Sequence, residues 1–202
     1  MTQFYTVAGR GQARFVVRGS EFVGHVAPAR EVDAAESFVA GVREEHPDAT
    51  HSVPAYRVRA DPVREWADDD GEPGGSAGKP ALNVLQQESV ENVVVVVTRY
   101  FGGTELGVGG LARAYGRATK AALDDAGVVE RVPHEAFSVT VDYDDSGTVR
   151  GLLESTGVEF EADYAATVRF DVRVPTERAA DIRDRLRSAT GGRASLAGES
   201  EG

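Results

Sequence analysis

NVVVVVTRYFGGTELGVGGLARAYGRATKAAL, residues Asn92 to Leu123, sets a strand, a glycine-rich loop and a cationic helix in direct succession. Val93 to Val97 is a continuous β-branched run, too short for a helix and too apolar for a half-exposed strand, which predicts a strand covered on both faces. Arg99 and Tyr100 stand at its exit. Gly102, Gly103, Gly107, Gly109 and Gly110 supply the backbone freedom of a tight loop, and helix formers from Leu111 onward predict a helix N-terminus directly after Gly110. The first amides of such a helix have no partner within it, so this end is a ready anion site.

Along that helix Arg113, Arg117 and Lys120 fall at i, i+4 and i+7, on one face, while Leu111, Ala118, Ala122 and Leu123 can turn inward. Counting Arg99, Arg113, Arg117 and Lys120 against Glu105 gives the stretch a local charge of +3 in a chain whose total is -11. That reversal of sign points to a phosphate-bearing partner, with Tyr100, Phe101 and Tyr115 as stacking surfaces for bases. A solvated face with ordinary aromatic packing is the competing reading.

The chain has 202 residues, 41% of them hydrophobic, enough for one sizeable core or two small ones. Its longest apolar run is the valine strand, far below the roughly 18 residues of a membrane span, and MTQFYTVAGR lacks the features of a signal peptide. A cytoplasmic protein without a membrane partner is expected. The absence of cysteine removes disulfides, thiolate nucleophiles and cysteine-held metals. A charge of -11 argues against general DNA coating. Only Lys79 and Lys120 among 22 basic residues are lysine, which, beside 33 acids, suggests a halophilic, salt-adapted surface.

Before the valine strand, Phe4–Val7, Ala13–Val17 and Glu21–Ala27 read as strands. A helix capped by Asp33 runs out near His46-Pro47, and Ser52 to Arg59 reads as a further strand. Residues 60–79 read as a functional loop or mobile insertion, and Pro80 opens a helix through Gln87. Beyond Pro133 the periodicity spells β-α-β-β-α-β: Ala136–Tyr143, Ser146–Thr156, Val158–Tyr164, Thr167–Val174, Thr176–Ala189 and Arg193–Leu196. That order is ferredoxin-like, and the acidic GESEG end is expected to fray.

The loop from Asp68 to Lys79 sets Asp68, Asp69, Asp70 and Glu72 beside a glycine run. Its carboxylates suit either a divalent cation or a turn with solvated acids, and their spacing lacks the calcium-loop pattern. Gly74 to Gly78 matches G-x-S-x-G around Ser76, but no apolar strand precedes it and only His134 follows, so no nucleophile is expected. His46 and His51 lack zinc-pair spacing, and Pro47 breaks any helix between them.

Several motifs then occur in a single order: Ser20-x-Phe22 with Ala27-Pro28; Asp48-Ala49-Thr50-His51 through Ala55-Tyr56; Asp69-Asp70-Gly71-Glu72-Pro73 through Gly75-Ser76-Ala77-Gly78; Arg99-Tyr100-Phe101-Gly102-Gly103; and Leu106-Gly107-x-Gly109-Gly110-Leu111-x-Arg113-Ala114-Tyr115. Through them the chain resembles the Impact/YigZ family over most of residues 15–125. Gly74, Ser76, Ser52 and Pro54 depart from the usual residues without removing a charge. The resemblance implies an α+β protein, with a ribosomal protein S5 domain 2-like domain at 1–132 and a ferredoxin-like domain, similar to one in elongation factor G, at 133–202. Eukaryotic relatives regulate a stress-kinase pathway mainly through an additional N-terminal domain, so that role is not expected here.

Together these readings predict a non-enzymatic RNA- or ribosome-associated protein, in the manner of a translation regulator, without cofactor, metal or catalytic residue. The candidate phosphate contacts are Arg99, Tyr100, Gly109, Gly110, Arg113, Arg117 and Lys120. His51, Asp69, Asp70, Gly71, Glu72 and Ser76 are the candidates of the motif loop. A small phosphate-ligand or nucleotide-binding enzyme and a protein-interaction adaptor are the alternatives.

Overall fold

The computed structural model describes residues 3–60 and 62–199. The chain divides into two compact units, one spanning Phe4–Arg131 and the other built from Val132 onward. The first holds β1 (Phe4–Val7), β2 (Gly11–Val17), β3 (Ser20–Pro28), α1 (Val32–Glu45), β4 (His51–Val58), β5 (Arg64–Ala67), α2 (Gly78–Gln87), β6 (Val93–Tyr100), α3 (Gly107–Ala126) and β7 (Val128–Arg131). The second continues with β8 (His134–Val141), α4 (Tyr143–Thr156), β9 (Glu159–Tyr164), β10 (Val168–Pro175), α5 (Thr176–Ala189) and β11 (Ser195–Glu199).

Five antiparallel strands in the order β2-β3-β6-β4-β5 form the main sheet of the first unit, with the valine strand at its centre. Val93 to Val97 are fully buried because alternate residues enter two cores. Val93, Val95 and Val97 pack with residues of α2 and α3, whereas Val94 and Val96 pack with residues of α1. This is why the strand shows no polar alternation. Beneath α3 the sheet must be smooth: a Cβ on Gly24 would lie 2.5 Å from the Ala118 carbonyl oxygen. Ala114, Ala118 and Ala122 are the matching small residues on the helix, and this close approach buries Leu111, Tyr115 and Leu123.

Three expectations need correction. First, α3 starts at Gly107 rather than after Gly110, so Gly109 and Gly110 belong to the helix and not to the loop. Leu106 folds back over the first turn, where a Cβ on Gly110 would sit 3.0 Å from the Leu106 Cβ, so packing overrides poor glycine propensity. Second, residues 60–79 are not a free insertion. Arg64–Ala67 pairs with Ala55–Val58 as an edge strand, and Trp66 stacks near Tyr56 with ring centroids 5.6 Å apart. Third, Glu31 and not Asp33 occupies the α1 N-cap position; Asp33 lies in the first turn. β7 also escaped the sequence reading, because its four residues earn their strand geometry only by pairing with β1, more than a hundred positions away.

The second unit is α+β with strand order β11-β8-β10-β9, all antiparallel. Phe137, Val139, Val141, Val168, Phe170, Val172 and Val174 form its core with residues of α4 and α5, matching the β-α-β-β-α-β periodicity. Gly198 and Glu199 extend the last strand, contrary to the expected fraying, while residues 200–202 lie outside the described residues. Among the described residues no helix is long and apolar enough to cross a membrane.

Candidate functional site

The motif residues of the first unit meet in a closed polar network rather than an open cleft. At its centre Arg99 donates through Nη1 to Glu72 Oε1 at 2.7 Å, and the Tyr115 hydroxyl donates to the same oxygen at 2.7 Å. Glu72 and Arg99 are 8% and 5% exposed and Tyr115 is fully buried, so the ion pair sits inside the protein. Burial, then the hydrogen bond to Glu72, push the Tyr115 phenol well above its ordinary range, which keeps it protonated and donating. Arg99 Nη2 also donates to Ser20 Oγ, which receives the Gly102 amide as well. Phe22 and Phe101 flank the guanidinium at 5.6 and 5.4 Å.

The three acids of the motif loop have separate structural tasks. Asp69 accepts the amides of Gly75, Ala77 and Gly78 and so closes the N-terminus of α2 from a distance. Burial alone raises its carboxyl, but those three amides outweigh it and hold the group below the usual aspartate range. Asp70, at φ +46°, accepts from Arg43 and from the Ser52 amide, binding the loop to α1 and β4. Its carbonyl takes the His51 Nδ1 proton at 2.7 Å, leaving His51 Nε2 3.8 Å from Glu72 Oε2. Gly71, at φ +86°, turns the chain between the half-buried Asp70 and the buried Glu72. Ser76 Oγ is buried without a hydrogen-bond partner among the described residues; neither a base nor an acid reaches it.

The cationic face is smaller than the local charge count suggests. Lys120 pairs with Asp124 and Glu88, and Arg99 is committed to Glu72, so two of the four cations are neutralised. Tyr100 binds His46 Nδ1 through its hydroxyl at 2.7 Å. Arg117 lies over the Phe15 ring at 4.2 Å. Arg113 makes no hydrogen bond or ion pair among the described residues, and its Nη1 lies 3.5 Å from where a Gly109 Cβ would be. It is exposed on α3, and Phe101, 50% exposed, and Val108, 58% exposed, are uncovered apolar side chains in the stretch that leads from β6 into that helix.

On the opposite sheet face a second polar chain was not foreseen. Gln12 Nε2 lies 3.3 Å from His25 Nδ1, His25 Nε2 lies 3.5 Å from Thr98 Oγ1, and Thr98 donates to the Val23 carbonyl. Burial and the neighbouring His46 ring depress His25 to about 4. Because the folded value lies below the unfolded 6.5, stability is complete above 6.5 and is lost as pH falls through 4. The loss across that window is on the order of 3 kcal/mol, and His25→Gln should flatten it in urea titrations at successive pH values.

The second unit offers a sheet face whose outward positions include Ser138, Thr140, Glu159, Glu161, Asp163, Arg169, Asp171 and Arg173. Sheets that read single-stranded RNA present aromatic rings for base stacking. These outward positions instead carry alternating charges, as in the Arg169–Asp171 and Arg173–Glu159 pairs.

Known sequences decide the relationship. Residues 18–123 match the Impact N-terminal domain, and residues 139–193 match a domain of unknown function, DUF1949. YvyE of Bacillus subtilis, an IMPACT family member, is 33% identical over 96% of this chain and 89% of its own length. The chain belongs to the IMPACT family. YigZ of Escherichia coli, another IMPACT family member, is 35% identical over 84% of this chain and 85% of its own. The rat protein IMPACT aligns over 45% of this chain and 29% of its own length, at 35% identity. A crystal structure of a hypothetical protein superposes with a TM-score of 0.69 at 32% identity, covering 100% of both chains. The network of Ser20, His51, Asp69 to Glu72, Arg99 and Tyr115, buried at Ser20, Glu72, Arg99 and Tyr115, lies entirely inside the segment matched by the IMPACT domain. The family motifs thus shape this domain's interior, while Phe101, Val108 and Arg113 are exposed.

Proposed function

We propose that the protein is a non-enzymatic RNA- or ribosome-associated factor of the translation-regulator kind, and that it makes contact through the corner from Phe101 to Arg113. The observation that carries this reading is the exposed first turn of α3, which has no side-chain cap, with the uncompensated Arg113 guanidinium beside Gly109. Phe101 adds a half-exposed ring, and the clamp of Glu72, Arg99 and Ser20 fixes the strand from which the corner projects. The likeness to an elongation factor G domain that the resemblance to the Impact/YigZ family implies for the second unit supports the same direction.

Arg113→Glu with Phe101→Ala should reduce RNA or ribosome co-sedimentation at least about tenfold at moderate salt, with a shallower salt dependence. Unchanged sedimentation of this pair beside wild type would remove the proposal. Arg99 is unsuited to that test because its loss damages the interior. The exposed Val108 favours a second reading, a protein-interaction adaptor; partners that survive nuclease treatment and depend on Val108 would select it.

A further inference from the structure

In the second unit two tyrosines stand at the surface in a fixed arrangement. Tyr143, at the start of α4, and Tyr164, at the end of β9, are 53% and 50% exposed, with ring centroids 6.4 Å apart. The Tyr143 hydroxyl donates to the Ala165 carbonyl at 2.8 Å, and Arg150 donates to the Tyr164 hydroxyl at 2.7 Å. The Arg150 guanidinium also lies 5.8 Å from the ring centres of Phe160 and Tyr164. Rings held by both hydroxyls lose little freedom when something covers them, and tyrosine and arginine are the residues that dominate binding energy at protein interfaces.

The helix beside them is bare. Gly147 and Gly151 follow Tyr143 at i+4 and i+8 on the same side of α4, and a Cβ at either position would meet nothing within 4 Å. Neither has a positive φ, so packing and backbone geometry leave both free to be alanine, the better helix former. Their consequence is access to the tyrosine faces along a flat helix surface.

Charge selects the occupant. Asp142 and Asp144 flank Tyr143 in the chain and are exposed, and Arg150, which holds Tyr164, already has the exposed Glu154 at 3.7 Å. A phosphate backbone would be repelled here, whereas a lysine or arginine would be drawn to the carboxylates and could rest on a tyrosine face. We propose that the Tyr143–Tyr164 patch, with the bare side of α4, is a docking surface for a polypeptide partner that presents lysine or arginine side chains. This surface is independent of the corner at α3.

The test is an amide NMR titration of the whole chain with a peptide of alternating arginine and glycine, at physiological salt. Shifts concentrated in residues 142–151 and 163–166 are expected, and Tyr143→Ser with Tyr164→Ser should weaken binding about tenfold although the net charge is unchanged. Gly147→Leu with Gly151→Leu should weaken it similarly while leaving the unfolding temperature unchanged or higher, which separates docking from folding. Shifts spread over all acidic surfaces, with both double variants binding like wild type, would overturn the proposal. So would an oligouridylate that shifts the same amides more strongly than the peptide.

Discussion

Replacing Glu72 with alanine is expected to destabilise the first unit by about 3–5 kcal/mol, because it strands the Arg99 guanidinium in the interior. Arg99 Nε already lacks a partner among the described residues, so the charge depends on Glu72 at Nη1 and on Ser20 at Nη2. Tyr115 loses its acceptor in the same variant. Glu72→Met with Arg99→Met should recover much of the loss, since removing both charges removes the desolvation cost along with the attraction. Urea unfolding of Glu72→Met, of Arg99→Met and of the double variant measures the coupling. If the double variant's loss equals the sum of the single losses, Glu72 and Arg99 do not act as a pair.

Gly102→Ala should cost about 3 kcal/mol, at the upper end of overpacking effects. The new Cβ would lie 1.9 Å from the Gly19 carbonyl carbon and 2.3 Å from the Ser20 nitrogen, both backbone atoms that cannot rotate away. The turn between β2 and β3 would have to withdraw, breaking the Gly102 amide's bond to Ser20 and loosening the serine's hold on Arg99. Gly103→Ala is the internal control. Its Cβ meets nothing within 4 Å, and only its φ of +84° resists the change, so it should cost about 1 kcal/mol. Equal, small losses in the two variants would show that the turn and the loop do not meet closely. Thermal unfolding of both variants decides the matter.

The contrast between those neighbouring glycines shows where sequence reasoning stops. Five glycines between Gly102 and Gly110 read as one flexible loop, yet Gly102 is a contact point and Gly109 and Gly110 are helical. The difference depends on Gly19 and on Leu106, and no propensity encodes which backbone will come near. The same holds for the charges. Arg99, Arg113, Arg117 and Lys120 look alike in a window, but Glu72 lies 27 positions from Arg99, and Glu88, a partner of Lys120, caps the end of another helix. A local count sees Glu105 and misses both.

Periodicity and side-chain shape are local properties, and they were sufficient for the doubly covered valine strand, the β-α-β-β-α-β order of the second unit, and the motifs that resemble the Impact/YigZ family. Partnership is not local. Only the folded chain assigned Asp69 to the amides before α2, turned Glu72 inward to Arg99 and Tyr115, and left Arg113 uncompensated at the surface. A carboxylate's task depends on which donors the chain brings within about 3 Å of it, and those donors come from strands and helices far apart in sequence.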